Sequence, residues 1–333
     1  MKVAVDAMGG DHGVNPVIIG SVLAARELKA KVILVGDGEL LEKELAPYRD
    51  VKNSIEIEHA DEVVSMNESP VKAVRSKKNS SIVISTRLVK EARAVGFFSP
   101  GNTGATMAAA LSILGRLDGV KRPAIAVPIP KEDGTVSLLL DAGANVDCKT
   151  EYLTQFAVMG EIYSREILSV LSPKIGILSN GEEDSKGNES TQALFKRLKK
   201  LPFHFAGNIE GRDLFGMGKL VDVIVCDGFT GNITLKTIEG CAKSIFNILR
   251  ENIKKSSLAK TGALLLKPAF SAVKHTMDYS SYGGAPLLGV DGIVMIGHGS
   301  SGAQAVKNGI RVTLEFARHK INKKISDNIK RLL

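Results

Sequence analysis

Phe97-Phe98-Ser99-Pro100-Gly101-Asn102-Thr103-Gly104-Ala105-Thr106 reads as an apolar stub, a loop holding two glycines, and the opening of a small-residue helix. Strand, glycine loop and helix start form an arrangement suited to anions. Glycine lets the backbone come close, and unpaired N–H groups point out of the helix end. The helix dipole adds about half a positive charge there. Asn102, Thr103 and Thr106 can add side-chain hydrogen bonds. An ordinary strand-to-helix turn capped by Asn or Thr has the same local sequence, so this stretch alone leaves both readings open.

The chemistry recurs along the chain. Lys2 to Val5 leads into Asp6-Ala7-Met8-Gly9-Gly10-Asp11-His12-Gly13, Phe203 to Phe205 into Gly207 to Asp213, and Val221 to Val225 into Asp227-Gly228-Phe229-Thr230-Gly231-Asn232. In an open α/β sheet such loops gather at the carboxyl ends of the strands, where ligands bind. Four apolar runs ending in the same chemistry predict one polar, anion-binding crevice.

At 333 residues the chain can bury a large core, and 44% apolar with 24% charged residues is ordinary for a globular protein. The three cysteines, Cys148, Cys226 and Cys241, are odd in number and lack metal-ligand spacing, which predicts a reduced cytosolic setting and buried thiols. The start of the chain goes directly into a strand, so no signal peptide is expected, and no run reaches a membrane-spanning length; a soluble protein is expected. The net charge of +8 suits an anionic substrate, an acidic partner or an anionic lipid surface. With 5% aromatic residues and no recognition motif, nucleic acid is not expected.

Strands and helices alternate through the first hundred residues, the pattern of a parallel sheet with crossover helices. Asn15-Pro16 predicts a cap and first helical residue, as does Ser69-Pro70. On the helix expected after Pro70, Lys72, Arg75 and Lys78 fall on one stripe that can hold a phosphate or face solvent. Gly36-Asp37-Gly38 lacks the third glycine of a dinucleotide fingerprint and reads as a turn. Ala124 to Val127 and Val136 to Leu140 read as a hairpin, which makes the sheet mixed, and the second strand ends in a fifth polar loop, Asp141 to Asp147. Those two aspartates can orient cations or cap the next helix, and their spacing matches no standard metal site. After the strand Ile175 to Leu178 comes Ser179 to Asn188, a loop whose three acids and Lys186 suit acid/base work or simple solvation.

A long helix is expected from near Asn232 to beyond Ile253. At about 250–280, Leu258, Leu264, Leu265, Leu266, Phe270 and Val273 interleave with Lys254, Lys255, Lys260, Lys267 and Lys274. This predicts a helical hairpin with an apolar, basic-rimmed tip, suited to an anionic membrane or to a packed interface. A glycine loop is expected from Ser281 to Pro286, and Gln304 to Leu333 reads as one basic amphipathic helix on the surface. No linker or repeat interrupts residues 1–333, which read as a single unit.

At these loops the chain resembles the bacterial phosphate acyltransferases of phospholipid synthesis, the acyl-carrier-protein:phosphate acyltransferases. The resemblance rests on Asp6 to Asp11, Ser69 to Ser81, Gly101 to Ala105, Leu140 to Asn145, Ser179 to Glu183, Gly207 to Asp213, Asp222 to Ile233 and Gly283 to Gly289. Two departures are Val14, where the pattern has proline, and Pro100, where it has alanine. The resemblance implies a three-layer α/β/α fold like that of isocitrate and isopropylmalate dehydrogenases, a homodimer, and no cofactor or metal. It implies transfer of a fatty acyl group from acyl carrier protein to inorganic phosphate. It further implies a cytoplasmic protein peripherally attached to the inner face of the cell membrane, near the glycerol-3-phosphate acyltransferase that consumes the product. On that footing Gly101, Asn102, Thr103 and Gly104 bind phosphate with Arg75 and Lys78, and Asn232 polarises the carbonyl. Lys186 binds phosphate or protonates the thiol, with Asp6 and Asp227 orienting the cations. Leu258, Leu264, Leu265, Leu266 and Phe270 touch lipid.

Overall fold

The computed structural model describes residues 1–277 and 282–332. Lys274, as a side chain, and the start of the loop expected at Ser281 lie outside what is described. One sheet of eleven strands carries the chain, in the order β3-β2-β1-β4-β11-β10-β5-β6-β9-β7-β8. The strands are β1 (Lys2–Asp6), β2 (Lys31–Gly36), β3 (Ile55–His59), β4 (Gly96–Ser99), β5 (Ala124–Pro130), β6 (Val136–Leu140), β7 (Lys174–Leu178), β8 (His204–Ile209), β9 (Val223–Val225), β10 (Ala285–Leu288) and β11 (Val294–Ile296).

Alternation within the strands explains the layering. Val3 and Val5 face one side and Ala4 the other; Leu138 and Leu140 are opposed to Leu139 in the same way. Both faces are apolar, so both need helices, and a three-layer α/β/α fold results. One face carries α1 (Asn15–Leu28), α6 (Thr150–Glu166), α7 (Glu189–Leu198), α11 (Ala303–Arg318) and α12 (Ile321–Leu332). The other carries α4 (Ser81–Lys90), α5 (Thr103–Ala109) and the start of α8 (Gly228–Lys254).

Strand direction is where the sequence is silent. β3, β2, β1, β4 and β11 run parallel as one half, and β6, β9, β7 and β8 run parallel as the other. Between them β10 is antiparallel to both β11 and β5, and β5 is antiparallel to β6, so the two halves point in opposite directions. The register still brings their carboxyl ends together. A single transverse row runs through Val5, Phe98, Met295, Pro286, Ala126, Leu140, Val225, Ile177 and Asn208. The strands of the first half end one residue beyond this row, at Asp6, Ser99 and Ile296, or two residues beyond it, at Gly36 and His59, and those of the second half end on it or one residue beyond. The halves are staggered past each other, and their end loops face one crevice.

Three helical expectations are corrected. Asn15 is the first residue of α1, and Val14 stands at the cap with no side-chain hydrogen bond. The helix α3 (Pro70–Ser76) stops before Lys78, so the three-cation stripe is cut short. The C-terminal stretch is two helices, α11 and α12, separated at Lys320 by a left-handed backbone (φ 53°). Neither merely lies on the surface. Ile310, Val312, Leu314 and Phe316 of α11 are buried, and Gly309 lets that helix close onto the Phe98 ring.

Beyond its first turns α8 leaves the body. Its buried residues are Gly228, Gly231 and Leu235, all near the N-terminus, while Ile245, Ile248 and Leu249 are exposed. It leads to α9 (Ser257–Leu265) and α10 (Lys267–Met277). No residue of α9 is buried, and Leu258 is 83% and Leu265 77% exposed.

Candidate active site

The crevice holds a cavity of about 390 Å³. Asp11, Met66, Gly101, Thr103, His298 and Gly299 line it from the first half, and Gly143, Asn232, Leu235 and Lys236 from the second. Ile125, Val127, Ala285 and Ile296 give it an apolar floor. One part of this space suits a small polar anion, and another suits a chain of methylenes.

The first wall is held together by Asp6. This fully buried carboxylate accepts from Ser99 Oγ at 2.7 Å and from the Met8 amide at 3.1 Å, and Ser99 Oγ in turn accepts from the Gly101 amide at 3.1 Å. Burial pushes the Asp6 carboxyl above its usual range, against the opposing pull of these donors. Gly9 packs on Gly101 so closely that a Cβ there would sit 2.7 Å from both the Gly101 Cα and Asp6 Oδ2. Asp11 N–H donates to the Gly299 carbonyl at 2.7 Å, tying the first loop to the last. The Ser300 amide donates to His298 Nδ1 at 3.1 Å, which places the proton of the neutral ring on Nε2.

Asn102 is the N-cap of α5: its Oδ1 accepts from the Ala105 amide at 3.0 Å. Its Nδ2 donates to the carbonyls of Ser65, Met66 and Glu68 at 3.1–3.3 Å. The side chain is therefore spent on the cap and on the neighbouring loop. Gly104 is there because Pro70 would lie 2.6 Å from a Cβ. Of the four loop residues, Gly101 and Thr103 line the cavity.

The second wall rests on Asp141. Its buried carboxylate accepts from the amides of Ile125, Gly143, Ala144 and Asn145 and from Asn145 Nδ2, at 2.7–3.2 Å. Burial raises this carboxyl too, while the amides of Ala144, Ile125 and Asn145 and the Asn145 side chain pull it down. The first turn of α8 lies directly on this loop. A Cβ at Gly231 would fall on the Asp141 carbonyl oxygen, and one at Gly228 would sit 2.8 Å from Asp141 Oδ2. Asp227 caps α8, accepting from the Thr230 amide at 2.7 Å and the Thr230 hydroxyl at 3.0 Å. Asn232 and Lys236 then project into the cavity one turn apart.

A second hollow of about 570 Å³ lies across the α8 turn, lined by Ser179, Asn180, Asn188, Asp227 and Thr230. Lys186 is an exposed residue of the loop bordering it.

A family model described as "Fatty acid synthesis protein" matches residues 1–324. A phosphate acyltransferase of Leptospira biflexa is 60% identical over 329 residues, covering 99% of this chain and 97% of that one. The chain belongs to the phosphate acyltransferase family. Another phosphate acyltransferase, of Pelotomaculum thermopropionicum, is 51% identical, with 99% and 95% covered. Among solved structures, a phosphotransacetylase of Streptococcus pyogenes has the same fold at a TM-score of 0.63 and 18% identity, covering 96% of this chain and 94% of that one. A phosphotransacetylase of Staphylococcus aureus does so at 0.58 and 17%, with 95% and 94% covered.

Against this family background, the structure distributes the expected residues unevenly. Gly101, Thr103 and Asn232 meet across the cavity. Asp6 and Asp227 contact hydroxyls and loop amides, and no cation is among their hydrogen-bond partners in the described residues. Arg75 and Lys78 are exposed and do not line the cavity, whereas Lys77 turns inward to Glu68 Oε1 at 2.7 Å. Asp11, Lys236 and His298 line the cavity without having been expected. Lys236 had a detectable signal, a position four residues after Asn232 on the same helix.

Burial raises the Cys148 thiol to about 12 and the Cys226 thiol well above its ordinary value, so neither is a ready nucleophile. Cys241, expected to be buried, is exposed on α8. No group of three or more potential metal ligands occurs among the described residues, and none of their helices is long and apolar enough to cross a membrane.

Proposed function

We propose that the protein transfers a fatty acyl group from an acyl-carrier-protein thioester to inorganic phosphate, giving acyl phosphate for phosphatidic acid synthesis. The observation that carries this reading is the divided crevice, with an apolar floor for a chain and polar loops for an anion. Among the described residues its lining contains no serine or cysteine. An acyl transfer without a nucleophilic side chain is chemically complete when phosphate attacks directly. A phosphate oxygen bonds to the thioester carbon, the oxyanion collapses, and the C–S bond breaks. Hydrogen phosphate brings the proton that the departing thiolate takes up. Catalysis then consists of positioning and charge stabilisation. Thr103, at the start of α5, holds the phosphate where Gly101 lets it approach the backbone, and Asn232 donates to the carbonyl oxygen as charge develops there.

The remaining proposals concern surfaces. Lys72, Arg75 and Lys78 offer cations to an acidic carrier protein. The exposed Ile245, Ile248 and Leu249 of α8 suit burial against a second copy in a homodimer. Leu258, Leu264, Leu265 and Leu266, all at least 55% exposed, with the half-buried Phe270, suit the inner membrane surface, close to the glycerol-3-phosphate acyltransferase that takes the product. Leu265→Glu is expected to release the protein from anionic vesicles with turnover in solution retained; unchanged sedimentation with vesicles counts against lipid contact.

The deciding experiment is thiol release from palmitoyl-carrier protein with and without inorganic phosphate. Phosphate-dependent release with acyl phosphate as product is expected. Faster turnover of palmitoyl-coenzyme A would favour a phosphotransacetylase-like donor instead. Bound carrier protein with no release would make the protein a scaffold.

A further inference from the structure

Among the described residues the cavity has a single ammonium or guanidinium group on its lining, and it belongs to neither of the basic segments that stand out in the sequence. We propose that Lys236 is the cation that binds the attacking phosphate, with Glu239 holding it in place. This deepens the function proposed above and rests on it for the identity of the anion.

Backbone geometry fixes where Lys236 points. The first turn of α8 can lie on the Asp141 loop only because Gly228 and Gly231 lack side chains. The helix therefore enters the crevice in one orientation. From that entry, Asn232 and Lys236 fall on one stripe, separated by about 6 Å along the helix axis. Thr103 and Gly101 face them from the other wall. A thioester carbonyl beside Asn232 would thus have its attacking phosphate between the Lys236 ammonium and the Gly101–Thr103 loop.

The charge is held rather than left to swing. Lys236 Nζ lies 2.7 Å from Glu239 Oε2, one turn on, while its side chain remains 58% exposed. The other carboxylate oxygen, Glu239 Oε1, is enclosed and has no hydrogen-bond partner among the described residues. The ion pair narrows the volume the ammonium explores, and the enclosed half of the carboxylate leaves Glu239 little room to move. Phosphate carries two negative charges, and with the Asp11 carboxylate also on the lining, the one positive charge there has a large differential effect.

The test is thiol release from palmitoyl-carrier protein at varied phosphate, comparing wild type, Lys236→Met and Lys236→Arg. Lys236→Met is expected to raise KM for phosphate by about 10- to 100-fold, the size of one charge-assisted hydrogen bond. KM for the thioester stays within about twofold, and Lys236→Arg recovers part of the loss because it keeps the charge. An unchanged phosphate KM in Lys236→Met overturns the inference. Should wild type show no phosphate-dependent release, the reaction fails but not this site. Calorimetric titration of wild type and Lys236→Met with inorganic phosphate then decides: weaker binding by the variant supports the inference, and equal binding or none ends it.

Discussion

The two walls of the crevice use polar residues in opposite ways. On the first wall Asp6 and Ser99 are occupied with each other and with loop amides, and Asn102 with the Ala105 amide and the carbonyls of the loop at residues 65–68, so Thr103 remains to meet a ligand. On the second wall the Asp141 carboxylate and the Asp227 cap absorb the structural work, leaving Asn232 and Lys236 with their side chains in the cavity. A buried polar residue in a motif is more often part of the frame than part of the chemistry, because a buried group must be satisfied before anything else. The residues available for chemistry sit one or two helical turns further along.

That division can be broken at three points, taken from the largest effect down, with a fourth test away from the crevice. Asp141→Ala leaves five donors without their acceptor and is expected to cost about 4 kcal/mol of stability, with activity lost in parallel; thermal unfolding measures it. If Tm holds, the second wall does not depend on this carboxylate. Asn232→Ala is the contrasting case. It should lower kcat about 100-fold, near 2.7 kcal/mol of transition-state stabilisation, with Tm unchanged. A stability loss instead would move Asn232 into the frame. Asn102→Ala removes a helix cap and the tie to the loop at residues 65–68, and about 1–2 kcal/mol of stability is expected to go with it. A change in phosphate KM alone, without loss of Tm, would contradict the framing role.

The smallest effect lies outside the crevice. Glu166 accepts from Lys324 at 2.6 Å and lies 3.5 Å from His319 Nδ1, joining α6 to the end of the chain. The hydrogen bond from Lys324 holds this carboxyl below its ordinary 4.5, so its stabilisation is present at neutral pH. It is lost as pH falls through the lowered value, because the folded state must then take up a proton it disfavours. Glu166→Gln should flatten that part of the acid unfolding curve, at a cost of about 1 kcal/mol at pH 7.

Much of this was legible in the sequence. The alternation of Val3, Ala4 and Val5 and the turn at Lys131–Gly134 give most strands and the hairpin, but β10 is missed: Ala285 and Pro286, expected in a glycine loop, are its first two residues and pair with β11. Periodicity carries no information on strand direction, so nothing in it says that the halves oppose each other and overlap on one row. The break at Lys320 is invisible because lysine is an unusual residue for a left-handed backbone, and Gly309 gives no sign that Phe98 needs its space. Lys78 looked aligned with Arg75 because a helix was extended past Ser76, where the chain turns and Lys77 reaches Glu68. Lys236 is inconspicuous for a related reason: one lysine in a long mixed helix resembles a solvated face until the helix is placed.

The length of α8 has a geometrical consequence. Its 27 residues span about 40 Å. One end forms part of the reaction chamber, and the other leads to the exposed leucines of α9. If those leucines settle on a bilayer, the helix acts as a stilt, setting the height at which the chamber stands above the lipid. A folded domain of about 100 residues is some 30 Å across, so it fits beneath that height. A carrier protein could then deliver its acyl chain sideways without displacing the enzyme from the surface that receives the product.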